Sequence, residues 1–178
     1  KLDANTDHPR LVQVLDVEQI LREVLPTRQP EVDPTTVGPK VTLRPGSKIL
    51  AADDSAFARS LIEQGLEAMG VPLIMTKTGQ EAWDTLNSIA EQAEAEGKSI
   101  HDEIALILTD LEMPEMDGFT LTRKVKDDIR FKSIPVVIHS SLSGTASEDH
   151  VRKVGADAYV SKFVAKELAE TIRGVLAI

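Results

Sequence analysis

Cysteine is absent from the 178 residues. That excludes a disulfide framework, a thiolate metal site and a catalytic thiol, and it fits a reducing compartment. Basic residues are outnumbered, 20 against 29 acidic ones, giving a formal net charge of −9 and a pI near 4.9. Such a balance argues against a nucleic-acid-binding face. No run of about 18 apolar residues occurs, so no transmembrane helix is expected. No internal repeat is visible. What is present suffices for a real core: 42% of residues are hydrophobic, enough for one packed domain with an appendage.

Three stretches differ in character. In residues 11–25, Val17, Ile20, Leu21, Val24 and Leu25 share one helical face, with Asp16 as a plausible N-cap. Leu11, Val12 and Val14 before them read as a strand. One strand and one helix cannot enclose a core, so this piece needs a partner surface. With Lys1 rather than Met at its start, the chain reads as a fragment of a longer protein. Residues 26–46 carry Pro26, Pro30, Pro34, Pro39 and Pro45, the spacing of an extended, semi-rigid linker. A domain boundary is placed near Ser47.

From 47 to 178, strand and helix signals alternate five times. Short apolar runs at 49–52, 73–75, 104–108, 136–138 and 158–160 are each followed by a helical pattern. The third helix is read from Leu121, Val125 and Ile129. Thr78 with Glu81, and Thr145 with Glu148, have capping-box spacing. Five βα units with uniformly apolar strands predict an α/β fold with a doubly wound, five-stranded parallel sheet. The strand order 2-1-3-4-5 would set strands 1 and 3 together at the switch point, where ligands bind beyond the carboxyl ends.

Those ends carry the chemistry. Asp53 and Asp54 terminate the first strand and Asp110 the third. Three carboxylates within about 5 Å repel by about 3 kcal/mol per pair at an effective dielectric of about 20. A hard divalent cation removes that strain, and Mg²⁺ favours such oxygen ligands together with waters and phosphate oxygens. Asp54 and Asp110 suit direct coordination, with Asp53 acting through water. A carboxylate can also attack phosphorus, giving an aspartyl phosphate. Ser140 follows the fourth strand and Lys162 the fifth, placing a hydroxyl and an ammonium where phosphoryl oxygens need donors. His139 is read as a strand residue, Met113 and Met116 as packing, and Trp83 as remote from the site.

With DDS at 53–55, TDLEMPEMDG at 109–118, PVVIHSS at 135–141 and GADAYVSK at 155–162, residues 47–178 resemble a two-component receiver domain of flavodoxin-like (βα)5 fold. The resemblance implies that Asp110 accepts a phosphoryl group from a histidine kinase. It implies that Asp53, Asp54 and Asp110 hold Mg²⁺ with the main-chain carbonyl of Glu112, and that Ser140 and Lys162 contact the phosphoryl oxygens. Ser140 and Tyr159 match the family's switch pair. Residues 11–25 resemble the closing strand and helix of the CheW-like domain that couples chemoreceptors to their kinase. Residues 1–25 are therefore taken as a remnant of that domain. Coupling domain plus receiver is the architecture of CheV-type chemotaxis coupling proteins. The implied partners are a chemotaxis histidine kinase and chemoreceptors, in the cytoplasm at membrane-associated receptor clusters, without direct membrane insertion or nucleic acid. The phosphorylated receiver would change its surface near the fourth and fifth βα-unit helices, modulating coupling or draining phosphoryl groups as a sink. It would not be a turnover enzyme. The 17–25 helix is a possible self-association face.

Three positions depart from the receiver pattern. Phe163 stands where most receivers have proline after the lysine, so the lysine loop is expected to differ in shape. Ser141 replaces a small apolar residue. Glu112 lies two residues past the acceptor, where it could slow water attacking an acyl phosphate. Three alternatives remain: a receiver serving another output, an aspartyl-phosphate phosphatase, for which Glu112 would be the second acid, and a phosphorylation-independent scaffold.

Overall fold

The computed structural model describes residue 35 and residues 37–140, 145–161 and 165–176. The 1–25 piece, the linker up to residue 34, Ser141, Lys162 and Phe163 lie outside the described residues. The elements run β1 (Lys48–Ala52), α1 (Ala56–Ala68), β2 (Leu73–Thr76), α2 (Gly79–Ala95), a one-turn α3 (Ile100–Glu103), β3 (Ile104–Asp110), α4 (Gly118–Asp127), β4 (Val136–Ser140), α5 (Thr145–Lys153), β5 (Ala158–Ser161) and α6 (Ala165–Leu176). The strands form one parallel sheet in the order β2-β1-β3-β4-β5. This is the doubly wound order read from the sequence. The one-turn α3 was not foreseen. Ser99 and Asp102 form a capping box around it.

Apolar residues fill the strands because both sheet faces are covered. Alternate side chains go to opposite faces. Leu50, Ala52, Ile107, Val136 and Ile138 pack with Ala82, Leu86, Leu121, Val125 and Val151, beneath α2, α4 and α5. Ile49, Ala51, Leu106, Leu108, Val137 and Val160 pack with Ile62, Leu66, Ala169 and Ile172, beneath α1 and α6.

Two local readings are corrected. Ile129 does not continue the buried face of α4: it is 81% exposed. The helix ends at Asp127, and Asp128 turns extended (φ −93°, ψ 124°), so the 3.6-residue period no longer applies. Phe131 takes the buried place, with no exposed surface and an edge-on contact to Trp83 at 5.7 Å. At α2, the Thr78 hydroxyl accepts from the Glu81 N–H as expected. The Glu81 carboxylate, however, accepts from the Lys77 N–H, so the return bond lands one residue before the cap.

The second half of the Pro-rich stretch is not a free tether. Val37 is buried with Ile62, Leu66 and Ile172. The Val41 N–H bonds the Met69 carbonyl at 2.9 Å. The Arg173 guanidinium donates to the carbonyls of Val37 and Pro39. These contacts lash residues 37–41 to α1 and α6.

Candidate functional site

Two sequence decisions shape the carboxyl edge. At the end of β1, Ser55 is the N-cap of α1, its hydroxyl accepting from the Ala58 N–H at 3.1 Å. The acidic pair before it is therefore not needed as a cap. Asp53 turns back: its Oδ1 accepts from the Ser55 N–H at 2.8 Å, and its side chain has no exposed surface. Asp54 is exposed. At the end of β3, Asp110 is 3% exposed, and its Oδ1 accepts from the Leu111 N–H at 2.7 Å. Ala52 and Thr109 are register partners, so the residues that follow them meet at the switch point.

Asp53, Asp54 and Asp110 each place a carboxylate oxygen within 4.8 Å of the others. Two of the three are carboxyl groups withdrawn from solvent, an arrangement that nearby positive charge would relieve. The donors are all hard oxygens, and one side is open through Asp54. That donor set fits Mg²⁺, which takes one or two carboxylates and keeps several waters. It does not fit a soft or imidazole-preferring metal.

The β3–α4 loop closes tightly over this edge. The Gly118 N–H bonds the Leu111 carbonyl at 2.8 Å. A Cβ at Gly118 would stand 2.2 Å from the Asp110 carbonyl oxygen, so only glycine admits this approach. Glu115 takes a left-handed φ of 69°, and Met116 is buried beneath the loop. Glu112 is exposed, at the surface of the loop.

Ser140 ends β4 and is 2% exposed. Tyr159 is the register partner of Ile138 in β5 and packs half-buried against the core under α2, α4 and α5. The structure thus brings Asp53, Asp54 and Asp110 together and sets Ser140 at the same edge of the sheet. Lys162, the remaining member of the expected set, lies outside the described residues.

Two contributors were not foreseen. Arg59, one turn into α1, donates to the Asp53 carbonyl at 3.0 Å. His139, 4% exposed, sets its Nε2 3.5 Å from Asp53 Oδ2. A histidine directly after the apolar run Val136, Val137 and Ile138 was the available signal.

Fold and site together define a class: a doubly wound α/β domain with an oxygen-only cation cluster at its switch point. Comparison with known proteins gives the family. Residues 49–173 match the response regulator receiver domain, and the chain belongs to that family. Over 179 aligned residues the chain is 29% identical to chemotaxis protein CheV2 of Helicobacter pylori, an alignment that takes in 99% of this chain and 54% of that protein. It is 34% identical to chemotaxis protein CheY1 of the same species over 131 residues, 72% of this chain and 96% of the relative. Among solved structures it resembles the Mn²⁺-bound form of response regulator Rcp1, with a TM-score of 0.56, 25% identity, and coverage of 74% of this chain and 91% of that one. The chain spans about half the length of the CheV relative.

Proposed function

We propose that this chain is the receiver part of a chemotaxis coupling protein, and that Asp110 accepts a phosphoryl group from a histidine kinase. The observation that carries the acceptor role is the buried Asp110 carboxylate at the end of β3, within 4.8 Å of two further carboxylates. In the transfer, an Asp110 oxygen attacks phosphorus as the phosphorus–nitrogen bond of a phosphohistidine breaks. The imidazole leaves with the electron pair, and the product is a mixed acyl–phosphoryl anhydride. Asp53, Asp54 and Asp110, with the Glu112 main-chain carbonyl, would hold Mg²⁺. When bound, the ion neutralises charge on the transferring group. The Mn²⁺-bound form of the Rcp1 relative supports a divalent cation here. The Ser140 hydroxyl and the Lys162 ammonium donate to the phosphoryl oxygens. Ser140 and Tyr159 form the switch that carries the change toward α5 and α6.

The coupling role is supported by the similarity to CheV2, which runs the length of this chain and so includes residues 1–46. Residues 1–25 are then the end of a CheW-like domain, 26–46 a linker and 47–178 the receiver. The partners are a chemotaxis histidine kinase and chemoreceptors, with the protein in the cytoplasm at receptor clusters. Among the described residues no helix is long and apolar enough to cross a membrane. Phosphoryl release would be slow, without conventional turnover. A second reading, a receiver serving another chemotaxis output, is favoured by the higher identity to CheY1, which is covered almost completely.

The test is incubation with Mg²⁺ and acetyl phosphate, followed by intact mass beside Asp110→Asn. One phosphoryl group on the parent and none on the variant is the expected result. No addition to the parent, with Mg²⁺ binding established, would refute the acceptor role. Reconstitution of the full-length protein with receptor and kinase then separates the outputs: kinase activity should change with the phosphorylation state of Asp110 if the coupling reading holds.

A further inference from the structure

The amino ends of the strands, opposite the acidic cluster, hold a second cavity. It measures about 630 Å³ and opens between the 40–47 segment, the start of β3, the loop before β4 and the end of α6. Small-molecule sites typically measure about 300–1,000 Å³. The seven residues of β3, at about 3.3 Å each, set it about 20 Å from Asp110. The cavity is therefore independent of the cation and phosphoryl chemistry.

Its lining divides by chemistry. Val41, Leu43, Ile104, Val175 and Leu176 supply an aliphatic wall. Lys40, Arg44 and Arg173 supply cationic groups, and no Asp or Glu is among the described residues that line it. In a chain of net charge −9, this is a local reversal of sign that concentrates anions. The donors are not exhausted by the protein. Arg173 commits Nε and Nη2 to the carbonyls of Val37 and Pro39, which leaves the two N–H groups of Nη1. Arg44 lies 3.4 Å from Asp102, with the side chains 75% and 48% exposed, a pair of little energetic weight. Ser47 also lines the cavity at 2% exposure, and none of the described residues bonds its hydroxyl. His101 and Ser133, by contrast, bond each other at 3.0 Å. The lining contains no Phe, Tyr or Trp, so it offers no stacking platform for a nucleobase. Aliphatic walls with a cationic end suit an alkyl chain that carries a planar anion, which a guanidinium matches in shape.

We infer that this cavity binds a small anionic amphiphile, a carboxylate on a short alkyl chain. Lys40, Arg44, Arg173 and the Ser47 hydroxyl hold the head group, and the chain lies against Val41, Leu43, Ile104, Val175 and Leu176. A ligand so placed ties the 40–44 segment to the end of α6 and the start of β3.

The test titrates the protein with octanoate below its micelle concentration, beside octanol, which lacks the charge, and acetate, which lacks the chain. Amide chemical shifts locate binding, and calorimetry gives the dissociation constants. Octanoate should shift the amides of residues 40–47, 104–105 and 173–176 and leave residues 110–118 unmoved. It should bind about tenfold or more tighter than octanol or acetate. The double variant Lys40→Gln, Arg44→Gln changes two exposed side chains and should weaken octanoate about tenfold or more, its amide spectrum elsewhere remaining that of the parent. Octanol binding as tightly as octanoate would overturn the anion site, and acetate binding as tightly would overturn the amphiphile. Shifts confined to other residues, or none, would overturn the cavity as the site. A double variant that binds octanoate as the parent does would remove the cationic head site. Should that variant fail to fold, the three-ligand comparison on the parent decides alone. Phosphatidylglycerol vesicles separate the sources of such an anion: co-sedimentation with vesicles, without binding of free octanoate, would assign the cations to a membrane surface and overturn the inference.

Discussion

Removing a charge from the acidic cluster should make the metal-free protein more stable. In Asp110→Asn the side chain keeps its shape and loses its charge. Carboxylate oxygens within 4.8 Å repel by about 3 kcal/mol per pair at an effective dielectric of about 20. The Asp110–Asp53 pair is the buried one and counts most. The pair with exposed Asp54 is screened and counts for a fraction of that. Against this gain, the Leu111 N–H bond at 2.7 Å changes from a charge-assisted bond to a neutral one, a loss of about 1 kcal/mol. The net expectation is that Asp110→Asn is about 2 kcal/mol more stable than the parent in EDTA. Saturating Mg²⁺ should reverse or erase the difference, because a ligand at about 100 times its dissociation constant adds about 2.7 kcal/mol to the form that binds it. Urea denaturation of both proteins, with EDTA and with Mg²⁺, reads the four values directly. A variant no more stable than the parent in EDTA would refute the strain in the cluster. Equal stabilisation of both by Mg²⁺ would refute Asp110 as a ligand.

Other expectations follow from single contacts. Phe131→Ala should cost about 3–5 kcal/mol in denaturant unfolding, since the ring is wholly buried against Trp83. Ile129→Ser, two residues earlier and exposed, should fall within about 0.5 kcal/mol of the parent. Gly118→Ala should lower the Asp110 phosphorylation yield and the melting temperature together, because its Cβ would meet the Asp110 carbonyl oxygen. The Arg130 side chain holds the Asp128 carboxyl below its usual value of 3.8. A carboxyl depressed in the folded state stabilises fully above the unfolded value and loses that contribution as pH falls through the folded one. The stability gap between the parent and Asp128→Asn should therefore be constant near neutrality and close below about pH 4. Arg173→Gln should speed hydrogen exchange at the Val41 amide while leaving β1 and β3 protected, since Arg173 lashes the 37–41 segment.

Most of the fold was legible because the strands are buried on both faces, so their apolar runs stand out and the carboxylates that end them mark the sheet edge. Ile49–Ala52 followed by Asp53 and Ile104–Leu108 followed by Asp110 needed no tertiary information. Periodicity misplaced Ile129, because the helix ends at Asp127, where Asp128 turns extended, and hydrophobic spacing does not encode that. The packing of Val37 was hidden for a related reason: proline content reports stiffness, and the partners that bury Val37 come from α1 and α6, far along the chain. Within the site, the residue types proposed to touch phosphate or metal were readable from their strand-end positions. Arg59 and His139 were not, since each acts on Asp53 across a contact that only the assembled sheet and first helix create.

The measurement that bears most directly on the acceptor is chemical mapping. The protein is phosphorylated with Mg²⁺ and acetyl phosphate, reduced with borohydride to convert an acyl phosphate to a primary alcohol, and digested for peptide mass spectrometry. The reduced residue should be Asp110 alone. Label on Asp53 or Asp54, or a phosphoryl group that resists borohydride on a hydroxyl or imidazole, would contradict the assignment of Asp110 as the phosphoacceptor.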